Sequence, residues 1–114
     1  MKLTELYDKQ KQLDQLIVDN INNINLDGND EIFLSDRITA LGVEVSEFAN
    51  EVEAFKYWKK NKRNNKTKQL AEYVDILHFW LSIGNTMKFS ADEVEAAYFK
   101  KYAENIDRQE RGNY

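Results

Sequence analysis

Five carboxylates fall at helical spacing on two separate stretches of this chain. Glu44, Glu47 and Glu51 lie in EVSEFANE, and Glu72 and Asp75 lie in AEYVDILHFW, residues 71–80. At 100° per residue the first three share a face about 60° wide. Each directly precedes an apolar residue, Val45, Phe48 or Val52. They therefore edge an apolar seam and do not sit on the far solvent face. Glu72 and Asp75 flank Tyr73, Val74 and Ile76 in the same way, and His78 extends their row by one turn. Exposed like charges at this spacing cost about 0.2–0.5 kcal/mol per pair. Half-buried ones cost more, and demand a proton or a cation. If the two stretches are helices packed side by side, four carboxylates converge. Hard oxygen donors in that number suit Mg²⁺ or Mn²⁺, not zinc. Mg²⁺ commonly shares its shell with substrate phosphates. An E-x-x-E alone is ordinarily a solvated face; two acidic pairs beside two apolar seams make the stronger signal.

The elements that must position these groups read as four helices. Residues about 2–22 carry Leu3, Leu6, Leu13, Leu16 and Ile17 at spacings of three, four and seven. INNINLDGND reads as a polar connection. A second helix is expected over roughly 31–60, with an irregular start near Phe33–Ser35. Leu34, Ile38, Leu41, Val45, Phe48, Val52 and Phe55 form its seam, stepping alternately by four and three. NKRNNK is a polar, basic turn. A third helix over about 67–87 turns Leu70, Val74, Leu77 and Leu81 inward, and Gly84–Asn85 weakens its end. Ser90 with Glu93 three residues on predicts a capping box opening a fourth helix that runs to about 108. The expectation is one all-α domain, a compact four-helix bundle completed by oligomerisation.

Composition agrees and excludes other classes. The 114 residues contain no proline and four glycines, which favours long helices. A net charge of −4 argues against nucleic acid as a partner. The absence of cysteine removes disulfides and thiolate metal sites. No run approaches the roughly 18 apolar residues of a membrane span, and MKLTELYDKQ has no signal-peptide core. A cytoplasmic protein with no membrane partner is expected.

EVSEFANEVEAFKYWKK followed by LAEYVDILHFWLSIGN resembles the core of the all-α, dimeric-type dUTPases, within the MazG-like nucleotide pyrophosphohydrolase superfamily. The superfamily signature, E-x-x-E then E-x-x-D, falls on Glu44, Glu47, Glu72 and Asp75. The dUTPase branch adds Asn50–Glu51, the stretch Phe55–Trp58, and D-x-L-H-F at Asp75–Phe79. Gln10, Leu13 and Asp14 are similar to its early Q-x-x-L-D. Lys101, Asn105 and Arg108, with Gly112 and Tyr114, are similar to its C-terminal motif and tail. Two features depart from the family. Only about twenty residues separate Ser82 from Lys101, where fuller relatives carry an extra helical segment. The tail reads G-N-Y, with Asn113 inserted.

The resemblance implies Mg²⁺-dependent hydrolysis of dUTP to dUMP and pyrophosphate by water attacking the α-phosphorus. It implies a homodimer or a homotetramer. Glu44, Glu47, Glu72 and Asp75 become metal ligands, with Glu44 or Glu47 acting on the water. Glu51 becomes a further ligand or a group supporting one. Gln10, Trp58 and His78 become contacts to the base or sugar, and Asp14, Asn50 and Asn85 become further substrate contacts. Lys56, Lys101, Asn105 and Arg108 become contacts to phosphates. Two alternatives stand beside this reading. One is a MazG-like pyrophosphohydrolase of different or broader nucleotide specificity. The other is a non-catalytic helical oligomerisation module.

Overall fold

The structure, a computed structural model, describes residues 2–22 and 33–112. Four helices follow in order: α1 (Leu3–Asn22), α2 (Leu34–Val52), α3 (Lys66–Thr86) and α4 (Ala91–Glu110). There is no strand among the described residues, so the all-α, four-helix expectation holds. Most of the INNINLDGND connection lies outside the described residues, as do Asn113 and Tyr114.

Helix ends follow from local chemistry. The Asn65 side chain accepts from the Lys68 backbone N–H at 3.0 Å and caps α3. Ser90 and Glu93 form the expected capping box: each side chain accepts from the other's backbone N–H at 3.1 Å.

The end of α2 departs from expectation. A helix to about residue 60 was predicted, yet α2 stops at Val52. Glu53 adopts left-handed backbone geometry, φ 61°, which costs an L residue roughly 1–2 kcal/mol. Its carboxylate is only 1% exposed. It accepts from Lys59 Nζ at 2.7 Å, Lys56 Nζ at 3.0 Å and the Arg63 backbone N–H at 2.6 Å. The basic run thus folds back around one buried charge, and the α2–α3 turn is built on Glu53. Arg63 also pairs with Glu51 at 2.9 Å.

α1 and α3 share a small core. Tyr7, Leu81 and Ala91 are buried together, with Leu3, Leu6 and Val94 against them. The Tyr7 ring stacks on Trp80 at 5.9 Å between centroids. The ring also meets Gly84, where an added Cβ would stand 2.8 Å from Tyr7 Cε1. Gly84 therefore lies inside α3 because Tyr7 needs the space, not because the helix ends there.

α2 and α3 form an antiparallel hairpin. Arg37, near the start of α2, donates to Thr86 Oγ1 at the end of α3, at 2.5 Å. Phe48 and Tyr73 meet at 5.6 Å. Leu34, Leu41, Phe48 and Val52 are half-buried, whereas Ile38, Val45 and Phe55 are exposed. On α3 only Leu81 of the four inward residues is buried; Leu70, Val74 and Leu77 are exposed. The reason is geometric. Among the described residues α2 packs on α3 alone, and the α1–α3 core takes in only Leu81 of the α3 seam, so the rest of both seams faces outward. α4 packs on α1 and makes no contact with α2 among the described residues. It carries Tyr98, Phe99, Tyr102 and Ile106 exposed.

Candidate active site

Helical periodicity on two antiparallel neighbours delivers the acidic residues to one place. Carboxylate oxygens of Glu44, Glu72 and Asp75 lie within 4.8 Å of one another. Oε2 of Glu44 and Oε2 of Glu72 are buried with no hydrogen-bond partner. Buried polar atoms in folded proteins nearly always have partners, so two orphaned oxygens in one cluster need an explanation. Burial, ahead of everything else, raises the Glu44 carboxyl above its ordinary value, and Glu47, Asp75 and Glu72 raise it further. Burial also raises Glu72, followed by Glu47, Asp75 and Glu51. Glu47 stands beside the triad, more exposed, and its charge bears on both Glu44 and Glu72.

A divalent cation fits this donor set. Each residue offers hard oxygen, no nitrogen or sulfur donor intervenes, and the lone pairs left without partners point among like charges. Without a cation the burial and repulsion can be relieved only by taking up protons, which is why the two glutamates are raised.

The other predicted residues divide into groups. Gln10 and Asp14 on α1 join His78 on α3. Gln10 Nε2 donates to Asp14 Oδ1 at 2.9 Å, and His78 Nδ1 lies 2.7 Å from Gln10 Oε1. Glu51 is turned to Arg63, and Lys56 to Glu53. Trp58 is 64% exposed and meets Phe55 and Tyr57 edge-on. Asn50 is exposed on α2. The Asn85 side chain donates to the Tyr7 carbonyl at 3.0 Å. Asp14 and Asn85 also line a cleft of about 820 Å³ with Arg37 and Lys88; none of the five carboxylates lines it. Lys101, Asn105 and Arg108 are exposed on α4, away from α2.

Two features escape sequence reading. Glu53 continues the acidic pattern of α2 and looks like one more helical glutamate. The only hint is the cations at 56, 59 and 63 that converge on it. Ser82, only 3% exposed, donates to Asp14 Oδ2 at 2.6 Å. Its sole signal is a spacing of four from His78.

An antiparallel helical pair with clustered carboxylates, flanked by α1 with α4 packed on it, defines an all-α protein with a candidate site for a hard cation. The family model described as dUTPase matches residues 2–91, and the chain belongs to that family, the all-α, dimeric-type dUTPases. No curated protein and no solved structure matches it.

Proposed function

We propose that this protein hydrolyses dUTP to dUMP and pyrophosphate with Mg²⁺ as cofactor. One observation carries the reading: in a chain of the dUTPase family, buried oxygens of Glu44 and Glu72 stand without partners inside a carboxylate cluster. Glu44, Glu47, Glu72 and Asp75 hold the metal. When bound, Mg²⁺ screens the phosphate oxygens and lowers the pKa of a bound water. Glu47, beside the triad and more exposed than Glu44, takes the proton of the water that attacks the α-phosphorus. Glu51 steadies the cluster from its ion pair with Arg63. His78, held by Gln10, meets the base, and Trp58 offers an aromatic face to it. Asn50 and Asn85 complete the nucleoside contacts, and Lys56 adds positive charge near the phosphates. The protein acts in the cytoplasm. Among the described residues no helix is long and apolar enough to cross a membrane.

The chain acts as a homo-oligomer, a dimer or a tetramer. Its accessible surface is 8817 Å², whereas a monomer of 13.5 kDa exposes about 6500 Å². The excess is of the size an obligate interface covers. Its radius of gyration is 17.7 Å, against about 13 Å for a globular chain of this length. A second copy seated on the outward seams brings Lys101, Asn105 and Arg108 to the phosphates.

The test is pyrophosphate release from dUTP, dTTP, dCTP and UTP, with and without Mg²⁺. Release from dUTP alone, abolished by Asp75→Ala or Glu47→Ala, is expected. Equal turnover of all four substrates favours a broader MazG-like specificity. Unchanged turnover in both variants refutes the site. No release under any condition leaves a non-catalytic oligomer.

A further inference from the structure

Two pairs spaced by four, Gln10 with Asp14 on α1 and His78 with Ser82 on α3, interlock into a ladder. Ser82 Oγ donates to Asp14 Oδ2 at 2.6 Å, and Gln10 Nε2 donates to Asp14 Oδ1 at 2.9 Å. A carboxylate only accepts, so the Gln10 amide cannot be turned around without setting oxygen against oxygen. Gln10 is 5% exposed, so water is poorly placed to relieve such a mismatch. Gln10 Oε1 must therefore face His78 Nδ1, 2.7 Å away. That oxygen too only accepts, so Nδ1 carries a proton. A neutral imidazole has one N–H, which leaves Nε2 bare. His78 itself is exposed, so this edge is open to a ligand.

We propose that Asp14, clasped by Ser82, is a positioning residue that fixes the direction of this ladder, so that His78 presents Nε2 as an acceptor selecting a ligand N–H donor, the imide of uracil, over cytosine. Uracil carries hydrogen on N3, whereas cytosine N3 is itself an acceptor and would meet Nε2 lone pair to lone pair. The direction is set two residues back from the ligand, at an acid that need not touch it. The inference rests on the reading of His78 as a base-facing residue. The asymmetry is chemical and does not depend on how the phosphates are cleaved. A ladder that merely glued α1 to α3 would leave base preference untouched.

His78 is the only histidine in the chain, so its ring nitrogens give a single set of resonances. In ¹⁵N-labelled full-length protein without nucleotide, recorded where the ring shows no cationic form, the Nδ1–H tautomer should outweigh Nε2–H by about tenfold or more, given what an unsatisfied buried acceptor costs. A dominant Nε2–H tautomer overturns the proposal. Asp14→Asn can donate or accept, which lets the amide sit either way; the two tautomers should then mix, and an unchanged ratio overturns the proposal. Should that variant not fold, the wild-type spectrum still decides. With Mg²⁺ present, dUMP should move the Nε2 resonance and dCMP at the same concentration should not. Equal shifts refute the selectivity. The preference for dUTP over dCTP in kcat/KM should fall about tenfold in Asp14→Asn, tracking the mixed tautomers. An unchanged preference refutes it. A chain with the Nδ1–H tautomer that releases no pyrophosphate from dUTP overturns the activity proposed above and leaves the ladder standing.

Discussion

Gly84→Ala isolates the contact on which α1 and α3 depend. An alanine Cβ would stand 2.8 Å from Tyr7 Cε1, 2.9 Å from Oη and 3.2 Å from Cζ. Carbon atoms prefer about 3.5–4.0 Å, so the closest approach is short by roughly 0.7–1.2 Å. The ring cannot easily retreat, because Trp80 stacks against it. Overpacking of this kind costs about 1–3 kcal/mol. Replacing glycine inside a helix returns about 1 kcal/mol. The net loss is therefore about 0–2 kcal/mol, below an unhindered alanine by the full strain of about 1–3 kcal/mol. The cycle with Tyr7→Leu separates the two contributions. With the ring gone, Gly84→Ala should become stabilising by up to about 1 kcal/mol. Urea unfolding followed by tryptophan fluorescence gives all four free energies at fixed protein concentration. Gly84→Ala stabilising the wild-type background as much as the Tyr7→Leu background would refute the steric account.

Other consequences follow from the charges and the uncovered faces. Glu72→Gln should abolish pyrophosphate release yet raise the melting temperature of the metal-free protein, since it removes one of the mutually repelling carboxylates; a lower melting temperature would count against the repulsion. A carboxyl raised in the fold contributes fully below about 4.5 and loses that contribution as pH climbs through its raised value, so Glu44 and Glu72 make the metal-free protein less stable toward neutrality. Mg²⁺ should flatten that limb in thermal unfolding. Glu53 runs the other way: hydrogen bonding from Lys59, then from Lys56 and Arg63, lowers it from 4.5 to about 2, so its contribution is complete above 4.5 and disappears toward pH 2. Glu53→Gln should erase that acid limb and expose Lys56–Arg63 to trypsin, and a cleavage rate equal to wild type would sink the anchoring role. Tyr98→Glu with Phe99→Glu should convert an oligomer to monomer in light scattering; an unchanged mass would remove α4 from the interface.

Much of the architecture is written in periodicity. The 3.6-residue repeat brings Glu44, Glu72 and Asp75 together as their spacing suggests, and Ser90 with Glu93 opens α4 as a capping box. What escapes reading depends on contacts distant in sequence or absent from the chain. α2 stops at Val52 because Glu53 finds partners up to ten residues later, which no helical propensity encodes. Leu70, Val74 and Leu77 share the pattern of Leu81, but only Leu81 meets α1 and the start of α4. A hydrophobic repeat says that a face is to be covered, not by which chain. Gly84 looks like a helix terminator until Tyr7, 77 residues earlier, is seen to fill its place.

Position 53 sets two demands against each other. Its left-handed backbone favours glycine or asparagine, while the surrounding lysines and amide require a full negative charge. Drift toward conformational ease would strand Lys56 and Lys59 as neighbouring positive charges and leave Arg63 to Glu51 alone. Substitution at any of the four sites changes what the other three can tolerate. They should diversify as one block, so a homologue with a neutral residue at 53 should also have shed its cations there and closed the connection by other means.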